Sequence, residues 1–80
     1  MLYELNRNFI NEKDFQNRIA VGLEKLEIDF YCVDGKDFIC TFPDGRKFIF
    51  TLIEVKNGIA LLDIDPIELT ETIKVLNCLS

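Results

Sequence analysis

The sequence predicts a single α+β domain in which two helices flank a four-stranded antiparallel meander. Three turn signals support this prediction, and each lies between runs rich in Phe, Ile, Val, Leu and Thr: Asp34-Gly35, Pro43-Asp44-Gly45 and Asn57-Gly58. Asp-Gly and Asn-Gly suit two-residue hairpin turns, whereas Pro-Asp-Gly suits a three-residue turn that ends in a glycine bulge. The chain has 80 residues, so we expect one domain over 1–80.

The apolar runs between these turns predict the strands of the meander, over 28–34, 37–42, 46–56 and 59–65. The sequence allows two alternative structures for segment 1–10. Leu2, Leu5 and Phe9 fit a helical stripe, while Leu2-Tyr3-Glu4-Leu5 fits an edge strand equally well.

A helix is predicted on each side of the meander. Asn11 can cap the first helix, over 12–26, whose apolar stripe is Phe15, Ile19, Leu23 and Leu26. The run Asp65-Pro66-Ile67-Glu68 resembles an N-cap, a first-turn proline and a capping-box acid, and it predicts a second helix over 66–78. The apolar stripe of that helix is Leu69, Ile73 and Leu76.

Assumed loop lengths of two, three and two residues fix a register, and register decides which side chains share a face. One predicted face gathers Ile28, Phe30, Cys32, Ile39, Ile49, Ile53, Val55, Ala60, Leu62 and Ile64. The other gathers Tyr31, Val33, Phe38, Cys40, Phe42, Phe48, Phe50, Leu52 and Leu61. Both faces are apolar, unlike the two-layer sheets that turn a polar face to water.

Two arrangements explain a sheet that is apolar on both sides. In the first, one helix covers each face, or the N-terminal segment 1–10 wraps around the second face. In the second, both helices cover one face and the other face binds a second subunit or a partner protein. Monomers rarely expose large apolar patches, and a homodimer is a simple way to bury one. We therefore expect an exposed aromatic face that anchors a homodimer or a partner protein, through Tyr31, Phe38, Phe42, Phe48 and Phe50.

Composition excludes several functional classes. The chain has 9 Lys and Arg against 14 Asp and Glu, a net charge of −5, no His and 3 Cys. A basic footprint for direct nucleic-acid binding is absent, and we expect no metal or other cofactor. The start of the chain lacks a signal-peptide pattern, and no apolar run is long enough to span a membrane. We expect a cytoplasmic protein with buried, reduced thiols.

One motif is the basis of an alternative function, that of an enzyme. Pro43-Asp44 followed by Glu54-Val55-Lys56 resembles the signature of the PD-(D/E)xK nuclease superfamily. The resemblance implies two carboxylates that hold Mg²⁺ and a lysine that assists attack on phosphate. Asp44 and Glu54 are ten residues apart along one strand, roughly 33 Å at about 3.3 Å per residue, so they cannot share a metal ion. The assumed register instead brings Asp34 across from Glu54, which leaves Asp34, Glu54 and Lys56 as the alternative catalytic cluster.

A third class is an acidic protein that imitates nucleic-acid phosphates and binds the enzymes that handle nucleic acid. The carboxylates that could contribute are Asp14, Glu24, Glu27, Asp29, Asp34, Asp37 and Asp44.

The function that we expect is a small non-enzymatic protein-binding module or stoichiometric inhibitor. Its size and composition are typical of accessory proteins carried by phages and mobile elements, including anti-CRISPR-like inhibitors.

Overall fold

The computed structural model describes residues 1–79 and contains five strands and two helices. In chain order these elements are β1 (Leu2–Phe9), α1 (Glu12–Lys25), β2 (Asp29–Val33), β3 (Asp37–Thr41), β4 (Lys47–Lys56), β5 (Gly58–Ile64) and α2 (Leu69–Cys78).

All five strands form one antiparallel sheet in the order β1-β5-β4-β3-β2. The predicted meander is confirmed for β2 to β5, but the prediction of four strands is wrong by one. Segment 1–10 takes the edge-strand alternative. Residues Leu2–Phe9 pair antiparallel with β5. Their backbone amides and carbonyls hydrogen-bond to the edge of β5 that β4 leaves unpaired.

Helix α1 begins where the capping pattern predicts. The Asn11 side chain accepts a hydrogen bond from the Asp14 backbone N–H at 2.8 Å, and Asp14 in turn accepts one from the Ile10 N–H at 3.0 Å. Phe15, Ile19 and Leu23 are buried. The fourth residue of the predicted stripe, Leu26, is exposed because the helix ends at Lys25.

Helix α2 begins three residues later than predicted. Asp65 does not cap it; its carboxylate accepts a hydrogen bond from the Ile67 N–H at 2.9 Å and closes a turn around Pro66. Glu68 is the residue before the helix and has a left-handed φ of 58°. Its side chain makes no capping hydrogen bond and pairs with Arg46 at 3.2 Å instead. The predicted capping box is therefore wrong: the short Asp65 hydrogen bond competes with helix formation.

Two one-residue irregularities set which side chains share a face. At the first hairpin Val33 pairs with Asp37, one residue beyond the partner that a two-residue loop gives. In β4 a bulge at Ile53 shifts the pairing with β5, so that Leu52 lies opposite Leu62 while Glu54 lies opposite Leu61. The three-residue turn at 43–45 matches the prediction, with Phe42 donating to the Arg46 carbonyl at 2.8 Å.

These shifts correct the predicted faces. The inner side chains of β5 join the face that carries Phe38, Phe48 and Phe50, and so does Phe30 of β2. The buried residues form one core cluster that includes side chains from both helices. Both helices therefore cover the same face of the sheet, and that face is the aromatic one.

Candidate functional site

Most of the aromatic residues predicted to form an interface lie in the core. Phe38, Phe48 and Phe50 are at most 1% exposed, and Phe42 is half-buried with the Arg46 guanidinium 4.8 Å above its ring. Their expected exposure is wrong, because α1 and α2 pack over the face that they share. Tyr31 alone of the predicted set is well exposed, at 61%.

The side of the sheet opposite the helices, which we call the open face, carries a second set of apolar side chains. Tyr31, Ile39 and Ile49 lie directly opposite one another on β2, β3 and β4, and we call these three residues the apolar row. Ile49 is 39% exposed. Leu2, Val33 and the bulge residue Ile53 are also exposed. No described element packs on this row, so its apolar surface meets solvent.

The apolar row is bordered by polar groups. Thr51 of β4 lies between Asp37 of β3 and Asp63 of β5, and its hydroxyl donates to Asp37 at 2.7 Å. Asp63 pairs with the N-terminal amine of Met1 at 3.1 Å. By the register, the remaining charged groups of this face are Glu4, Asp29, Lys47, Glu54 and Lys56. Carboxylates thus outnumber the lysines, and the open face is acidic as well as apolar.

A shallow depression of about 250 Å³ on the open face contains part of the predicted catalytic cluster. Glu54 and Lys56 line it together with Glu4. Asp34 does not, because it lies in the turn between β2 and β3 with a left-handed φ of 54°. The structure thus brings together two of the three residues of the nuclease-like alternative. Among residues 1–79, no group of three or more Asp, Glu, Cys or His side chains is placed to hold a metal ion.

The carboxylates predicted to imitate phosphates are not all free for a partner. Asp44 makes an ion pair with Arg46 at 2.7 Å, and the hydrogen bonds that it accepts from Arg46 lower the pKa of the Asp44 carboxyl. Asp14 is shared between the helix start and Arg18, which lies 3.4 Å away. Asp37 accepts the Thr51 hydroxyl. Several of these charges therefore have structural partners within the chain.

The three thiols differ in their surroundings. Cys40 is buried, and burial raises its pKa to about 12. Cys32 and Cys78 are exposed, so the expectation of buried thiols is wrong for both. The pKa of Cys32 is raised chiefly by partial burial, with a smaller contribution from the carboxylates of Asp37 and Asp34. The Gly35 backbone opposes that shift.

Sequence reasoning missed the apolar row because the bulge at Ile53 and the shifted first hairpin were not visible in it. A usable signal was that Phe48, Phe50 and Leu52 recur at every second position of β4, because these three side chains are buried while Lys47 and Ile49 between them are exposed. Scans against protein-family models, curated proteins and solved structures each found no match to this chain.

In the part of the chain that the structure describes, no helix is both long and apolar enough to cross a membrane.

Proposed function

We propose that this chain is a non-enzymatic protein-binding module whose open face binds a partner protein. The observation that supports the proposal is the uncovered apolar row of Tyr31, Ile39 and Ile49. Exposed apolar patches on small proteins commonly mark interaction sites. Aromatic side chains such as Tyr31 are enriched among the residues that contribute most to binding.

The charge of the open face favours a particular kind of partner. Its carboxylates border the apolar row, and complementary charge speeds association and selects the partner. We therefore expect a partner surface that is basic around an apolar centre. Proteins that bind nucleic acid carry basic surfaces of this kind. A module that occupies such a surface is a stoichiometric inhibitor of nucleic-acid binding.

The test compares two substitutions at one position. The chain is immobilised and presented with protein from the cells that express it, and the captured protein is purified and titrated against each variant. Ile49→Glu removes apolar contact but keeps the acidic character of the face, whereas Ile49→Lys removes the contact and adds repulsion toward a basic partner. We expect affinity to fall about tenfold for Ile49→Glu and about a hundredfold for Ile49→Lys, losses of about 1.4 and 2.7 kcal/mol.

Val21→Lys is the matched control, since Val21 is exposed on α1 and lies away from the open face. It should leave affinity unchanged. Equal binding by the wild type and both Ile49 variants would show that the open face is not the site. Tighter binding by Ile49→Lys than by Ile49→Glu would show that the partner surface is not basic. A competition experiment tests the inhibitor step. One molecule of this chain should displace one molecule of the partner from nucleic acid.

A further inference from the structure

We propose that the free edge of β2 pairs antiparallel with β2 of a second copy, in a register centred on Tyr31. This inference concerns the edge of the sheet, so it does not depend on the partner proposed for the open face.

The other edge of the sheet is protected against such pairing. Strand β1 is interrupted by a register shift between Asn6 and Phe9, and Asn8 has a left-handed φ of 55° there. The Arg7 guanidinium donates to the Asn6 backbone carbonyl at 2.8 Å and reaches the Asn77 carbonyl of α2 at 3.3 Å. Bulges and basic side chains are among the devices by which proteins block edge pairing.

Strand β2 has neither a bulge nor a basic side chain. Its sequence, Asp29-Phe30-Tyr31-Cys32-Val33, contains no Lys, Arg or Pro, and its pairing with β3 runs through all five residues without a shift. No side chain within residues 1–79 hydrogen-bonds to its backbone. An edge strand leaves every second N–H and C=O free to bind another strand.

The helix layer leaves space beside this edge. Cys32 pairs with Phe38 and therefore points to the helix side of the sheet, yet Cys32 is exposed while Phe38 is buried. The helices thus bury Phe38 of β3 and pack against Phe30 of β2, but they leave Cys32 uncovered. A second strand can approach β2 in the plane of the sheet.

The β2 sequence is complementary to itself in one antiparallel register. With Tyr31 opposite its counterpart in the second copy, Phe30 lies opposite Cys32 and Asp29 lies opposite Val33. No carboxylate then faces another across the new ladder, and the two tyrosines form an aromatic cross-strand pair, a kind of pair that stabilises antiparallel sheets. A two-fold axis perpendicular to the sheet generates this arrangement, as expected for an isologous dimer.

Pairing at this edge extends the open face. The two-fold axis places the open faces of both copies on the same side, so the two apolar rows meet at Tyr31. The result is one continuous apolar stripe, from Ile49 of one copy to Ile49 of the other.

Disulfide trapping tests the register in the purified chain alone. In a Cys32→Ser, Cys78→Ser background, which retains only the buried Cys40, Tyr31→Cys places two thiols opposite each other. Opposed Cα atoms in an antiparallel pair are about 4.5–5.5 Å apart, within the usual reach of a disulfide. We expect Tyr31→Cys to form a covalent dimer under mild oxidation at least tenfold faster than Val33→Cys. Two Val33 residues would be four positions out of register, about 13 Å along the strands.

Sedimentation at several concentrations gives a second measurement. We expect the wild type to be a dimer, Tyr31→Lys to be a folded monomer, and Leu2→Lys on the opposite edge to stay dimeric. Equal oxidation rates for the two cysteine variants, or a wild type that is still monomeric at about 100 μM, would overturn the inference. Ile49→Lys should remain dimeric, so a failure of partner binding is distinguishable from a failure of edge pairing.

Discussion

Phe38 and Phe50 lie directly opposite each other on β3 and β4, with ring centroids 5.0 Å apart and ring planes inclined by 7°. Both rings are fully enclosed, and Phe15 of α1 meets Phe38 edge-on at 5.9 Å. The pair therefore joins the middle of the sheet to the first helix. Side chains that the sequence suggested as interface anchors are instead the centre of the packing.

Phe50→Leu should lower the free energy of unfolding by about 1–2 kcal/mol, because it removes aromatic contact and leaves a small cavity. Ile49→Leu, at the neighbouring position of the open face, should cost less than about 0.5 kcal/mol. Urea unfolding followed by circular dichroism measures both. Equal losses at the two positions would contradict the placement of the core on the helix side.

Stability should fall at high pH because of Cys40. Burial raises its folded-state pKa to about 12, above the ordinary value of 9.0. Between these values the unfolded chain loses the thiol proton while the folded chain keeps it, so the stability present below pH 9 is lost as the pH rises toward 12. The expected loss is about 1 kcal/mol per pH unit. Urea unfolding at pH 8, 9 and 10 measures it. The stability of Cys40→Ala should depend less steeply on pH. Identical slopes for the wild type and this variant would show that the Cys40 thiol does not cause the loss.

Removing the cap of α1 should destabilise the protein. Asn11→Ala loses the hydrogen bond from the Asp14 N–H and should cost about 1 kcal/mol. Asn11→Asp keeps an acceptor at the same place and should retain most of the stability. Thermal unfolding of the two variants measures the difference. A cost for Asn11→Asp as large as that for Asn11→Ala would mean that the acceptor oxygen is not what stabilises the helix start.

Local signals were sufficient for much of the fold. The α1 cap at Asn11, the buried stripe of Phe15, Ile19 and Leu23, and the turn at Pro43-Asp44-Gly45 all follow from interactions within a few residues. The strands of the meander follow from the same turn signals. Such features depend on short-range hydrogen bonds and periodicity, which a sequence displays directly.

The open face could not be derived in the same way. A bulge adds one residue to a strand without a distinctive composition, and the bulge at Ile53 reverses which residues of β4 share a face with β5. The extra residue in the first hairpin has the same effect on β2. Both irregularities depend on how distant segments pack. As a result Phe50 shares a face with the buried side chains of β5, whereas the prediction placed Ile49 on that face.

The close approach of Gly22 and Leu79 predicts a substitution whose effect depends on its background. A Cβ at Gly22 would collide with the Leu79 side chain, which is 4% exposed. Gly→Ala inside a helix ordinarily stabilises by about 1 kcal/mol. We expect Gly22→Ala to destabilise the wild type, because the buried Leu79 side chain must shift from its packed position. In a Leu79→Ala background the same substitution should stabilise. Urea unfolding of the four chains of this double-mutant cycle should give a coupling of about 1–2 kcal/mol. Equal stabilisation by Gly22→Ala in both backgrounds would mean that Leu79 does not pack against α1 at this glycine.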